Sequence, residues 1–322
     1  MKKILFPIFT LCIALAACDN VELADRFEAT TTDTIHSTPG KFLTVTHKDL
    51  TTGEEITLPL LVEQHLLIED YTGTACTNCP EMAKFIEEEL CEMGVPCEVA
   101  CMHPQGLTQA MFITSPEAAE YGTRLGNLAS LPAIGINRAM IDKEYSDHLL
   151  DGTLPATFDK CRAAVVDQAK RFEGNNLDNL LGVSVTAKPV ADGSYRLYTA
   201  VHADFAPKGD VQLMLWLLAD SISAIQHPSR GELALPQAGF TGTYLHRHAF
   251  RRAINSTWGE TVAGFDADGN LVIEHLLTLT QSDGECDFAG TKCPMIIDHY
   301  EVLAVLYDKS SLEVINCCKV DL

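Results

Sequence analysis

An α/β domain followed by an all-β sandwich is the architecture this sequence predicts. Two observations predict it. Before residue 173, short apolar runs alternate with stretches whose apolar residues recur every three or four positions; after residue 176 the period becomes two and no long helical stripe remains. A length of 322 residues also favours two domains over one.

Lys2 and Lys3 precede an apolar run from Ile4 to Ala17 that is too short for a comfortable membrane span. It ends in Leu15-Ala16-Ala17-Cys18, which has the form of a bacterial lipobox. On that reading residues 1–17 are removed, Cys18 is the lipid attachment site, and the chain is held at a membrane by lipid. An ordinary secretory peptide with a chance cysteine is the alternative. Residues 18–40, rich in Asp, Thr and Ser and closing on Pro39-Gly40, read as a tether.

Leu66, Leu67 and Ile68 open a buried strand that runs into a Thr/Gly turn and then Cys76-Thr77-Asn78-Cys79-Pro80. Met82, Phe85, Ile86, Leu90 and Met93 then fall on one face of a helix. Pro80 suits its first turn, where a missing N–H leaves no bond unmade, and Gly94 suits its end. Strand, turn and Cys-x-x-Cys at a helix start is the layout of a thioredoxin-like redox site. Unpaired N–H groups at a helix start favour thiolate over thiol, lowering a cysteine pKa from about 8.5 into a range of roughly 3.5–7.5. Cys76 is therefore expected to attack and Cys79 to resolve the mixed disulfide. A stable, idle disulfide is the alternative. Zinc is disfavoured because no second, correctly spaced cysteine pair accompanies the first.

Further on, Val95 to Met102 reads as a strand, Ser115-Pro116-Glu117 as a helix start and Ala133 to Asn137 as a strand. Leu154, Phe158, Cys161, Val165, Ala169 and Phe172 mark a long amphipathic helix, and a flexible boundary is expected over residues 173–180. Val183, Val185 and Ala187 then alternate with polar residues, and Ala191-Asp192-Gly193 turns the chain into a second strand. Further strand-like runs occupy 211–219, 243–254, 271–280 and 300–307. His246 and His248 are expected on one strand face, as part of a polar strand rather than a metal pair. Asp266 to Asn270 reads as a hairpin turn, since a calcium loop would need a further glutamate. Cys286, Cys293, Cys317 and Cys318 read as structural disulfide partners.

Asp70 lies six residues before Cys76. Thioredoxin-like proteins, which this segment resembles over roughly residues 60–172, carry at that offset a buried acid that relays a proton to the resolving cysteine. They also place a cis-proline opposite the pair, just before a strand, and Leu131-Pro132-Ala133 fits that position. The resemblance thus implies a site of Cys76, Cys79, Asp70 and Pro132. It departs from the thioredoxin signature, because Ala75 precedes Cys76 and Thr77-Asn78 separates the cysteines. Taken together, EDYTGTACTNCP and TYLHRHAFRRAINSTWGE (Thr243 to Glu260) resemble the outer membrane protein 28-related lipoproteins of Gram-negative bacteria. That resemblance implies a lipid anchor, a thioredoxin-like domain over 41–175 and an immunoglobulin-like β-sandwich over 176–322. It also implies an outer-membrane or cell-surface place and an adhesin or receptor role.

A formal net charge of −21 argues against nucleic acid, whose binding rests on phosphate neutralisation. No glycine-rich phosphate loop or Ser nucleophile elbow appears, so neither cofactor nor metal is expected. Two functions follow. One is a membrane-tethered thiol–disulfide oxidoreductase acting on extracytoplasmic protein thiols and disulfides. The other is a surface adhesin or receptor that binds an extracellular protein through the same fold without catalysis.

Overall fold

Among the described residues of the computed structural model, strand outweighs helix, 48% to 19%. The structure describes residues 40–322 except 108–112, 127, 129, 139–153, 172–179, 192, 208, 225, 227–243 and 289–290. Cys18, the leader and the expected division at 175/176 lie outside the described residues. In chain order the elements are β1 (Lys41–Lys48), β2 (Glu55–Val62), β3 (Leu66–Tyr71), α1 (Cys79–Phe85), β4 (Cys97–Met102), α2 (Pro116–Gly126), β5 (Ala133–Ile136) and α3 (Leu154–Lys170). There follow β6 (Gly182–Ala191), β7 (Ser194–His202), β8 (Val211–Asp220), β9 (Ile222–Ala224), β10 (Tyr244–His246) and β11 (Ala249–Ala253). The last are β12 (Glu260–Thr261), β13 (Asn270–Thr278), β14 (Glu285–Phe288), β15 (Thr291–Pro294), β16 (His299–Asp308) and β17 (Val314–Asp321). The helix expected to run to Gly94 is α only as far as Phe85 and continues as a π-helical turn over Ile86–Leu90.

One sheet overturns the expected fold class. Its strands run β17-β16-β8-β11-β4-β3-β5, with β12 alongside β8. β3 pairs parallel with β4 and antiparallel with β5. Ala249 of β11 then pairs parallel with Cys101 of β4, where the Cys101 N–H donates to the His248 carbonyl at 2.8 Å. Beyond β11 the sheet continues antiparallel through β8, β16 and β17. The chain is therefore not a thioredoxin-like α/β domain followed by a separate immunoglobulin-like sandwich. The physical reason lies at Cys101 on the β4 edge, whose N–H needs a partner and finds it in the His248 carbonyl at the turn into β11. Periodicity marks strands but not which edges meet.

The sheet is covered on both faces. β8 is buried along its whole length, which is why VQLMLWLLAD reads as a run and not an alternation. Leu213, Leu215 and Leu217 pack with Val302 and Ala304 under the antiparallel sheet β13-β7-β6. Met214, Trp216 and Leu303 on the other face pack with Tyr121 and Leu125 of α2. At the β3–β5 end, α1 and α3 bury Leu66, Ile68, Ile134 and Ile136 under Met82, Phe85 and Val165. Each such large apolar side chain contributes about 1.5–3 kcal/mol.

Two further contacts join early and late segments. The β1–β2 hairpin lays Val45, Leu58 and Leu60 on Leu180, Tyr198 and Ala200. β6 passes so close to β2 that a Cβ on Gly182 would lie 2.6 Å from Val62 Cγ2. On β17, Asn316 Nδ2 donates to the carbonyls of Glu63 and Leu181, each at 2.8 Å, and its Oδ1 accepts the His65 N–H at 2.9 Å. All described residues fall in one compact unit, and no described helix is long and apolar enough to cross a membrane.

Candidate functional site

Cys76 and Cys79 form a disulfide. The chain leaves β3 with the Thr72 N–H donating to the Met102 carbonyl at 2.8 Å, then turns so that the Cys76 N–H donates to Gly73 at 3.0 Å. Cys79 is the first residue of α1, and the Met82 N–H reaches the Asn78 carbonyl at 3.2 Å. The two cysteines are 4% and 1% exposed and share a core cluster with Leu67, Tyr71, Leu131 and Ala133. The Leu131–Pro132 bond is cis. Because Tyr71 pairs with Ala133, Pro132 sits at the end of the sheet where the chain departs for Cys76. A residue far away in sequence also reaches this turn. Gln226, just beyond β9 and 3% exposed, donates from Nε2 to the carbonyls of Gly73 at 3.2 Å and Cys76 at 2.9 Å.

Asp70 occupies the other side of β3, because successive strand residues face opposite ways. It is 1% exposed and lines a cavity of about 40 Å³ beneath α1, together with Ile86, Cys101, His103, Tyr244 and His246. Its Oδ2 accepts from the Cys101 thiol at 3.9 Å, and its Oδ1 has no partner among the described residues. Burial pushes the carboxyl up to about 7, with the Cys101 hydrogen bond opposing. Burial, and then the charge of Asp70, raises the Cys101 thiol well above its ordinary value. Among the described residues neither ring nitrogen of His103 makes a side-chain hydrogen bond of good geometry, and burial with His246 nearby holds its pKa well below the imidazole range. The His103 and His246 rings stand edge to face at 5.6 Å. Among the described contacts the sulfur that meets Asp70 is therefore that of Cys101, and none joins Asp70 to Cys79.

Glu69, the residue before Asp70, is fully paired. Arg138 Nη2 donates to Glu69 Oε1 at 2.7 Å, and Arg138 Nε lies 3.1 Å from both carboxylate oxygens, with both side chains essentially unexposed. The guanidinium sits 5.5–5.7 Å from the ring centres of Tyr121, Trp216 and Tyr307. Burial alone would lower its pKa; the Glu69 charge and hydrogen bonds raise it instead.

His246 and His248 do not share a strand face. His246 ends β10, and His248, at φ +48°, turns the chain into β11. His248 Nδ1 lies 2.8 Å from Glu301 and 3.3 Å from Asp220. That trio has donors spaced for a metal ion, yet Lys319 Nζ already sits 2.8 Å from Glu301 and 3.0 Å from His248 Nδ1. The cation in this cluster is an ammonium.

The cysteines pair differently from expectation. Cys317 and Cys318 are free thiols on β17, and a second disulfide joins Cys91 to Cys97, while Cys286 stands opposite Cys293 in the β14–β15 register. Sequence reasoning missed Cys101, His103 and Gln226. Cys101 and His103, two apart at the end of β4, carry a readable signal; Gln226 carries none.

No protein-family model matches the chain, and no curated protein matches it. Among solved structures it is similar to HBP35 of Porphyromonas gingivalis, with a TM-score of 0.53 and 18% identity over 80% of this chain and 75% of that one. A protein of Agrobacterium tumefaciens gives 0.41 and 14% identity, covering 79% of this chain and 93% of its own. A domain of the outer membrane lipoprotein Omp28 from Porphyromonas gingivalis gives 0.28 and 12%, over 44% of this chain and 87% of that domain. The Omp28 domain is thus met as a structural neighbour and not as a family match. At these identities the likeness is one of fold, and of these three HBP35 carries it, with a TM-score above 0.5.

Proposed function

We propose that this chain is a lipid-anchored extracytoplasmic protein, at the outer membrane or cell surface, that exchanges thiols and disulfides with other proteins through Cys76 and Cys79. The observation that carries the reading is a Cys-x-x-Cys disulfide closed at the first residue of α1, at the open end of β3. The lipobox at Cys18 supports the anchor. In the oxidising direction a partner thiolate attacks Cys76 Sγ, forming a mixed disulfide and releasing Cys79 as a thiolate that takes up a proton. A second partner thiolate then attacks the partner's own sulfur, forming the partner disulfide and leaving Cys76 as a thiolate. The reducing direction reverses these steps. Asp70 is kept as the proton partner of Cys79 on its offset of six residues before Cys76 alone, since its described sulfur contact is with Cys101. The place of Pro132 at the same sheet end supports a role in docking the partner chain.

The test is to equilibrate the protein with glutathione buffers and to capture mixed disulfides from the extracytoplasmic fraction. Cys79→Ser is expected to trap adducts through Cys76, and Cys76→Ser to trap none. A pair that stays oxidised, or captures nothing, favours a second reading: a surface binding protein in which the disulfide is structural. The near-complete burial of both cysteines is the observation on that side.

A further inference from the structure

The turn that carries the first cysteine is made by residues 73–76, yet its carbonyls are held from a distant part of the chain. Gln226 lies 150 residues after Cys76 and 153 after Gly73, and its one amide nitrogen serves both carbonyls. The side chain is buried, so these bonds form in a dry setting where a lost partner is not replaced by bulk water. The backbone behind it is anchored: β9 pairs with β10, and the Ser223 N–H donates to the Ile296 carbonyl at 3.0 Å. Asn78 adds no side-chain cap at the start of α1. Within the turn, the Cys76 N–H donates to the Gly73 carbonyl and the disulfide joins Cys76 to Cys79; Gln226 adds a hold from outside it.

We propose that Gln226 is a positioning residue for the Cys76–Cys79 couple, holding the 73–76 turn so that the two sulfurs stay within bonding reach after reduction. The inference deepens the exchange reading and rests on it. In the disulfide, the covalent bond fixes the two cysteines. Once two external thiols have reduced it, leaving two protein thiols and one external disulfide, only the fold keeps them together. A held turn raises the effective concentration of one thiol at the other and so favours re-forming the bond. The linkage is reciprocal: what steadies the turn for the pair is itself steadied by the closed pair.

The experiment compares the full chain with Gln226→Met, an apolar side chain of similar length that lacks the amide donor. Both are equilibrated in glutathione buffers, and the Cys76/Cys79 state is read by thiol trapping and mass spectrometry. The expected result is a three- to tenfold smaller equilibrium constant for disulfide formation in the variant, roughly 15–30 mV toward a more oxidising couple. Hydrogen exchange at the Ser223 amide is expected to quicken on reduction in the unchanged chain and to respond less in the variant. Gln226→Glu, which keeps the shape and loses the donor, is expected to follow Gln226→Met, and circular dichroism checks that each variant is folded. An equal equilibrium constant in a folded Gln226→Met protein overturns the positioning role while leaving exchange intact. A pair that cannot be reduced in the unchanged, folded chain overturns both.

Discussion

Glu69 and Asp70 are adjacent carboxylic acids on β3, each almost wholly buried, and the pleat sends them to opposite faces of one sheet. Glu69 meets a guanidinium that fits it with three short contacts under three aromatic rings. Asp70 meets a thiol at 3.9 Å and a cavity, and one of its oxygens has no partner among the described residues. The difference teaches that burial alone does not decide what an acid does. A matched cation holds Glu69 in an ion pair, whereas burial without one pushes the Asp70 carboxyl up to about 7.

The largest expected effect comes from breaking the satisfied side. Glu69→Gln leaves Arg138 buried without its charge partner and is expected to destabilise the fold by about 3–5 kcal/mol in urea unfolding. Replacing both members by apolar residues, Glu69→Leu with Arg138→Met, is expected to recover much of that loss. Equal losses in the single and double variants would show that the pair acts through shape and not charge.

Asp70→Asn tests the other side through pH. The folded value of about 7 lies above the ordinary aspartate value of 3.8, so folding favours the protonated acid. Its stabilising effect is complete below about pH 4 and is lost as pH rises through 7. The unchanged chain is therefore expected to lose about 2–4 kcal/mol from this group between pH 4 and pH 8. Asp70→Asn is expected to flatten that slope, leaving the variant the more stable protein at pH 8. A slope that persists in Asp70→Asn assigns it to other groups.

The smallest effect is expected at His103, whose nitrogens, without a side-chain hydrogen bond among the described residues, share the cavity with Asp70. His103→Leu removes them, so thermal unfolding should show stability unchanged or raised by about 1 kcal/mol. A clear loss would mean that ordered water satisfies the ring, which brings the cavity closer to the Glu69 case.

Local signals in the sequence suffice where one segment decides the outcome. Ser115-Pro116 marks the start of α2, the apolar run in β8 marks a buried strand, and Leu154 to Ala169 marks α3. The Cys-x-x-Cys and Leu131-Pro132 lie at one end of one sheet. What escaped was set by distant partners. β11 carries Ala-Phe-Arg-Arg-Ala, which reads as a polar edge, yet it lies between β8 and β4. Its arginines make that possible: Arg251 donates to the carbonyls of Asp283 and Glu285, and Arg252 pairs with the Asp283 carboxylate. No periodicity in β11 announces those bonds, and nothing near Glu69 announces an arginine 69 residues on.

The stitch made by Asn316 has a consequence for synthesis. His65 and its partner Asn316 are separated by 251 residues, and chains grow at about 5–20 residues per second. The first strands of the large sheet therefore wait roughly 12–50 s for that partner to be made. β4 waits a shorter time for β11, and until then it offers a bare edge to any passing strand. Contacts of such long reach fold late. A newborn chain stalled before residue 249 is thus the form most prone to mispairing, and a chaperone that shields strand edges is the help it needs.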